Sequence, residues 1–439
     1  MLLEFFLRPL SVREIAHDFY ESAHESCGIA QRRFAVDVLE KLRAAGHTAY
    51  WAGGCVRDEL LGLIPKDYDV ATSARPEQVR DLFGKRRTLA VGAAFGVIVV
   101  VGPREAGTVE VATFRRDADY SDGRRPDAVV FTDAEEDARR RDFTMNALFY
   151  DPTRRQVIDY VGGRDDLERK LVRAVGDARL RFQEDKLRML RGVRMASTFG
   201  FTLDGDTRAA IEAAAHEILV VSPERIAQEV RGMFNKRGAA TAVGLLLALG
   251  LARAILPEFH ELSAEHQSLG LAVLELLDRH AVFDPAVVLA ALLFQTPEAA
   301  ATANAVLRRW RMSNDEREQV VWLVKNIAAL EGAAEKKWSA LQPLLAHEWG
   351  GHLVTLAEAR AAATEQPLND VKYCREKLGL PRGELDPPPL VTGDDLVRHG
   401  LKPGREFAGL LQAARSAQLD GEVRTAAEAI ALVDRLRAG

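Results

Sequence analysis

From residue 31 the apolar positions Phe34, Val38, Leu39 and Leu42 recur at helical spacing and Gly46 follows, so the pattern predicts a helix over 31–45. Short runs rich in β-branched and aromatic residues come next: HTAYWA, YDVAT, FGVIVVV, TVEVATF and AVVF. Gly, Pro and Asp turns separate them, together with one helical segment, PEQVRDLF, and this predicts a small sheet. Beyond about residue 165 nearly every segment reads as amphipathic helix, including 184–199, 206–216, 223–235, 239–251, 265–279, 285–294, 299–310 and 314–330. A proline-rich break, LDPPPL at 385–390, sets off a last helical piece, and no internal repeat of fixed period occurs.

The predicted fold class is therefore α+β: a small-sheet head followed by an elongated all-helical neck, body and tail. The boundaries drawn from this pattern are an N-terminal extension over 1–30, a head over 31–165, a neck over 166–235, a body over 236–390 and a tail over 391–439. With 47% hydrophobic residues the chain is not disordered over most of its length, and no apolar run is long enough to predict a membrane span. The N-terminal MLLEFFLRPLSVRE lacks a basic leader and a cleavage site, so no secretory signal is expected. Cys27, Cys55 and Cys374 have no metal-ligand spacing and read as free thiols in a reducing cytoplasm.

Charge nearly balances, 59 Lys and Arg against 64 Asp and Glu, yet residues 151–200 carry 12 basic against 8 acidic side chains. Such a stripe suits either RNA phosphates or a solvated, salt-bridged helix face.

Candidate chemistry starts at AYWAGGCVRDELLGL, 49–63, where a strand runs into Gly53 and Gly54 and then a helix carrying Arg57 and Asp58. Paired glycines let backbone N–H groups approach a phosphate, although the same turn can be only a turn. No P-loop pattern occurs anywhere. In KDYDVAT, Asp67 and Asp69 stand two apart and so share one side of a strand. A carboxylate pair of this kind suits Mg2+ with substrate phosphates completing the shell, or else it is a polar strand end. Glu110 in TVEVATF offers a third carboxylate or a surface-facing strand residue. RRDFTMNA supplies Arg141, Asp142 and neighbouring donors and acceptors suited to a sugar and its phosphates. In RFQEDKLRMLRGVR, Asp185, Arg188, Arg191 and Arg194 stand three apart. On one continuous helix Asp185 and Arg188 can meet one base edge, whereas Arg194, half a turn away, supports a phosphate or braces the helix.

In this order the motifs GGCVRD, DYDVAT, TVEVATFRRDADYSDGRRPDAVVF, RRDFTMNA and RFQEDKLRMLRGVR resemble the class II nucleotidyltransferases, which comprise bacterial CCA-adding tRNA nucleotidyltransferases and poly(A) polymerases. The resemblance covers 31–235, loosens over 236–390 and returns in the tail near 391–423. It implies that Asp67 and Asp69 bind the catalytic metal, with Glu110 as third carboxylate. Gly53, Gly54 and Arg57 would hold the triphosphate, and Arg141 and Asp142 the phosphate and ribose. Asp185 and Arg188 would read CTP or ATP, with Arg191 and Arg194 on the same helix. The implied activity is template-independent addition of CCA, or part of it, to tRNA 3′ ends from CTP and ATP, with Mg2+ as cofactor and pyrophosphate released. The acceptor stem of tRNA is the implied macromolecular partner. GKRRTLAVGAAFGVIVV is similar to the pattern of CCA-adding members, the alternatives being a poly(A) polymerase or a CC-adding or A-adding specialist. A non-catalytic RNA-binding protein would have no use for the carboxylate pair.

His347 with His352, and His260 with His266, lack the spacing of four that places two ligands on one helix face, and are expected at the surface or in loops. Phe294 and Gln295 stand where some relatives carry the His-Asp ligands of a phosphohydrolase, so 285–296 is expected to be a structural remnant of such a domain.

Overall fold

The computed structural model describes residues 23–92, 95–117, 129–402, 404 and 406–438. The first 22 residues of the expected N-terminal extension, and positions 118–128 of the TVEVATF…AVVF motif, lie outside the described residues. The chain divides into two compact units, 1–257 and 258–439.

The first unit holds a seven-stranded sheet. Its strands are β1 (Ala49–Ala52), β2 (Asp69–Thr72), β3 (Thr88–Gly92), β4 (Val97–Val101), β5 (Thr108–Thr113), β8 (Phe149–Asp151) and β9 (Gln156–Ile158), in the order β3-β4-β5-β2-β1-β8-β9. Only the β2–β5 pair is parallel; the other pairs run antiparallel. The AVVF run forms β7 (Val129–Phe131), which pairs with β6 (Arg115–Asp117) in a separate ribbon and not in the main sheet. The helix Ala23–Ala44 buries Phe34, Val38, Leu39 and Leu42, the four positions its periodicity marks. Phe34 packs so closely on the turn after β4 that a Cβ at Gly102 would lie 2.7 Å from its ring. Tyr50, Phe114 and Phe149 meet on the sheet with ring centroids 5.8–6.3 Å apart.

Helices follow: Gly163–Glu168, Ala178–Glu184, Leu187–Phe199, Gly205–Ala214 and Pro223–Phe234. Their starts are set by local chemistry: the Asp177 and Asp204 carboxylates accept from first-turn N–H groups, and Pro223 occupies a first-turn position where its missing N–H costs nothing. The helix expected over 184–199 begins instead at Leu187. Asp185 is extended (φ −151°), and its carboxylate accepts from the Leu187 N–H at 3.0 Å.

In the second unit Pro285–Leu293 is apolar on every side and buried from Ala286 onward, as befits a central helix. It packs against Ala264–Arg279, Ala299–Arg309, Asn314–Asn326 and Gly350–Ala363. The terminal helices Gly393–Arg398, Phe407–Leu419 and Ala426–Ala438 form a small core of their own around Leu396, Ala414, Ala429 and Val433. The prolines of LDPPPL are tied to it, since Arg415 and Gln418 donate to the carbonyls of Pro387 and Pro388.

Candidate active site

The sheet and the neck helices of the first unit bring most of the predicted residues together. β1 ends at Ala52 and the chain turns through Gly53, whose N–H donates to the Leu148 carbonyl at 3.1 Å. Gly53 has φ +76°, and a Cβ there would stand 2.9 Å from Arg141 Nη1, so only glycine fits. At Gly54 a Cβ would meet only the Arg57 guanidinium, at an ordinary 3.5 Å. The glycine there is not required by the protein's own packing, which leaves room for a ligand.

Arg57, on the short helix Gly54–Leu60, is 9% exposed. Its Nη1 donates to Asn146 Oδ1 at 2.7 Å, its Nε to Asp58 at 2.8 Å, and its guanidinium lies 4.5 Å from the Phe199 ring centre. Arg57 therefore ties the glycine turn to the Leu187–Phe199 helix.

Asp67 lies in a bend ahead of β2 and not on the strand, which starts at Asp69. The alternation nevertheless persists: Tyr68 and Val70 are buried, Asp67 is exposed and Asp69 half-buried. In the parallel β2–β5 ladder Asp69 stands opposite Glu110, so the two carboxylates emerge on one side of the sheet. Burial, reinforced by Glu110 and Asp67 and opposed by Arg141, pushes the Asp69 carboxyl up to about 6. Crowded all-oxygen donors of this kind fit a hard divalent cation. Among the described residues no three His, Cys, Asp or Glu side chains are gathered into a complete metal site. Substrate phosphates would have to supply the rest of the shell.

The Arg139–Asn146 segment is organised by a residue that the motif reading passed over. Asp137, fully buried on the helix Ala134–Arg139, accepts from Arg140 at 2.7 and 2.9 Å and from Arg141 at 3.1 and 3.2 Å. Burial alone would raise its carboxyl, but Arg141 and Arg140 outweigh burial and hold it low. The spacing of three and four from the two arginines was the available signal. Arg141 also donates to the Asn146 carbonyl and lies over Phe149, which points it at Gly53.

Asp142 accepts from the Phe143 N–H at 2.8 Å, from Asn146 Nδ2 at 3.2 Å, and twice from Arg191, at 2.8 and 2.7 Å. Burial opposes its ionisation, yet Arg191 and these donors hold its carboxyl far below the ordinary range. Asn146 thus bridges Arg57 and Asp142.

On the neck the expected stripe is broken. Because the helix starts at Leu187, Asp185 and Arg188 are not successive members of one helix face; the Arg188 backbone N–H donates to the Asp185 carbonyl at 3.1 Å, but each side chain takes a different partner. Asp185 Oδ2 accepts from Arg225 at 2.6 Å. Arg188, 9% exposed, donates to Glu184 at 2.5 Å and to the carbonyls of Arg181 and Arg140. Arg194 braces the helix: its Nε donates at 2.6 Å to Glu229, which is 7% exposed and also lies 3.9 Å from Arg191. Gly232 admits this brace, since a Cβ there would come 2.7 Å from Arg194 Cδ. Arg225 and Glu229 share one face of an evident helix, but nothing in their spacing names partners some 40 residues back. Lys236 follows this helix; the surrounding protein, with Arg194, Arg57 and Lys66, pulls its ammonium below the ordinary value.

The lookalike residues of the second unit serve structure. Gln295 Nε2 donates to the His266 carbonyl, and the His260 carbonyl accepts from Gln267. His347 stacks on Trp322 with centroids 4.2 Å apart, and His352 contacts Gln319 at 3.0 Å.

Residues 49–173 match the family of the poly A polymerase head domain, 200–262 that of the RNA- and SrmB-binding site of polymerase A, and 284–433 that of tRNA nucleotidyltransferase domain 2. The CCA-adding enzyme of Lactobacillus delbrueckii subsp. bulgaricus is 35% identical over 405 residues, covering 90% of this chain and 96% of the relative. That of Geobacillus stearothermophilus is 36% identical over 406 residues, 90% of this chain and 95% of the relative. The crystal structure of the Bacillus stearothermophilus CCA-adding enzyme in complex with CTP superposes with a TM-score of 0.73 at 31% identity, covering 92% of this chain and 97% of that one.

Proposed function

The chain belongs to the family of CCA-adding enzymes, the tRNA nucleotidyltransferases, and on that premise we propose how its own residues perform the reaction. The enzyme adds CCA to tRNA 3′ ends from CTP and ATP and releases pyrophosphate, the protein itself standing in for a template.

Asp67 and Asp69, with Glu110 beside them, hold the divalent metal on which the family depends, and Mg2+ is the ion their oxygen donors suit. When bound it lowers the pKa of the attacking 3′-hydroxyl and offsets charge on the phosphate oxygens. Arg141, pinned by Asp137 over the glycine turn, directs its remaining donors to the triphosphate lying across Gly53 and Gly54. Arg57 holds that turn against the neck, so its share in triphosphate binding is through the turn it braces. Asp142 orients the ribose side of the pocket and is itself oriented by Arg191.

Asp185 and Arg188 read the base edge: an acceptor-only carboxylate and a donor-only guanidinium complement the amino group and ring acceptor that cytosine and adenine share. Arg225 engages one oxygen of Asp185 and Glu184 one nitrogen of Arg188, and a base would have to share or replace these partners. Arg194 stays with Glu229 and keeps the helix in place. The helical neck over 166–235, body over 236–390 and tail over 391–439 receive the acceptor stem by shape and by phosphate contacts. The cytoplasm, where tRNA ends are rebuilt, is the compartment that suits the Cys55 and Cys374 thiols.

What supports this reading most is the register of Asp69 opposite Glu110 in a sheet whose adjoining turn only glycine can make. The test is incubation of tRNAs ending before the first C, after C, after CC and after CCA with each nucleoside triphosphate alone. CTP should extend the first two, ATP only the third, and nothing the fourth. Repeated ATP addition to every end would reveal a poly(A) polymerase instead, and restriction to CTP or to ATP a specialist.

A further inference from the structure

We infer that Tyr68 is a positioning residue for the carboxylate pair it separates, acting through the helix that follows the glycine turn; this rests on the metal reading of Asp67 and Asp69 given above. The β2 ladder fixes the backbone only from Asp69 onward: Trp51 pairs with Val70, and Asp69 has its in-register partner in Glu110. Asp67 and Tyr68 lie in the bend before it, outside the ladder. Asp67 and Glu110 both act on Asp69 as like charges, so a bend without ladder bonds needs another restraint to present Asp67 beside Asp69.

That restraint is the Tyr68 side chain. It is 2% exposed and points inward, with its ring 4.8 Å from that of Trp51. Its hydroxyl donates to Glu59 Oε1 at 2.6 Å, and the same oxygen accepts from Arg32 Nε at 2.8 Å. Glu59 belongs to the Gly54–Leu60 helix. One turn earlier on the same helix face, Cys55 donates its single S–H to the Ala52 carbonyl at 3.3 Å, and its sulfur lies 3.9 Å from the Asp69 carbonyl. The i+4 position of one short helix therefore holds the Tyr68 side chain by a hydrogen bond and its i position packs against the Asp69 carbonyl, while Arg57 on the same helix reaches Asn146. Tyr68 thereby sets the spacing between the metal carboxylates and the turn that takes the triphosphate.

Tyr68→Phe removes the hydroxyl and keeps the packing on Trp51. It should raise the Mg2+ concentration for half-maximal CMP incorporation about three- to tenfold. At saturating Mg2+ the turnover, the KM for CTP and the Kd for tRNA should return to wild-type values. Titration of Mn2+ by electron paramagnetic resonance in the presence of CTP, with no tRNA and no turnover, should show the same weakening. Glu59→Ala should reproduce the shift, Glu59→Gln should largely spare it because its amide oxygen still accepts from Tyr68, and Tyr68→Phe combined with Glu59→Ala should add nothing further.

Unchanged Mn2+ affinity in Tyr68→Phe, whether or not its Tm falls, overturns the inference, and so does full additivity of the two changes. If Tyr68→Phe does not fold, Glu59→Ala decides by the same Mn2+ readout. The underlying metal reading fails separately: Asp67→Asn and Asp69→Asn would then bind Mn2+ as tightly as the wild type, whatever Tyr68→Phe does.

Discussion

Arg191 donates to Asp142 through both Nε and Nη2, at 2.8 and 2.7 Å, and so joins the RRD segment of the head to a neck helix 49 residues further along the chain. Asp142 continues the connection through Asn146 to Arg57, and Arg191 through Glu229 to Arg194. The side chains proposed to serve the sugar and the triphosphate thus share one polar network with the brace of the neck helix. A change at one member should be felt by the others.

Asp142→Asn weakens the ionic half of this pair and leaves Arg191 without its carboxylate. Arg191 is partly exposed, which limits the penalty to about 1–3 kcal/mol, measurable by urea unfolding at neutral pH. The sign of its pH dependence is fixed. A carboxyl held far below its ordinary value stabilises the fold above that value, about pH 4, and the contribution disappears as pH falls further. Wild type should therefore lose more stability than Asp142→Asn between about pH 4 and pH 2.

The two glycines should behave differently. Gly53→Ala forces a Cβ into a positive-φ position 2.9 Å from Arg141 and should lower stability by about 1–3 kcal/mol along with activity. Gly54→Ala meets only an ordinary contact, so its Tm should stay near wild type while the KM for CTP and ATP rises. Differential scanning calorimetry beside steady-state kinetics separates the two.

Asp69 holds its carboxyl at about 6, above the ordinary carboxylate range, so its ionisation works against the metal-free fold. Acidification from about pH 6 to pH 4 should recover that contribution, and Asp69→Asn should be more stable than wild type at pH 7.5 in chelator. Equal Tm values under those conditions would show that the carboxylates are not in electrostatic conflict.

Base choice should divide the neck residues. Asp185→Ala and Arg188→Ala should erode discrimination of CTP and ATP against UTP and GTP by roughly one to two decades in kcat/KM, with little change in tRNA affinity. Arg194→Ala frees a buried Glu229 and should lower stability while leaving the ratios intact. Unchanged ratios in the Asp185 variant would locate base reading elsewhere.

The legible parts of this architecture were those governed by local periodicity. Phe34, Val38, Leu39 and Leu42 face inward because a helix repeats every 3.6 residues, and Tyr68 and Val70 are both buried because an extended chain repeats every two. Contacts between distant segments had no such signature. Apolar periodicity started the helix at 184, whereas the break at Asp185 is held by its bonds to the Leu187 N–H and to Arg225, 40 residues away. Strands β8 and β9, three residues each, were too short to show a pattern, and β3 follows a basic turn and lies mostly exposed. Asp137 was within reach from its spacing to Arg140 and Arg141, but its burial follows from the packing of the helix and not from the letters around it.

The central claim is that the Asp67 and Asp69 carboxylates carry nucleotide addition. Its most direct test is single-turnover incorporation of CMP onto tRNA lacking its terminal CCA, by Asp67→Asn and Asp69→Asn, with tRNA binding measured in parallel. Each variant should bind tRNA as the wild type does and incorporate CMP at least about a thousandfold more slowly. Near-normal incorporation by either variant in Mg2+ would contradict the assignment.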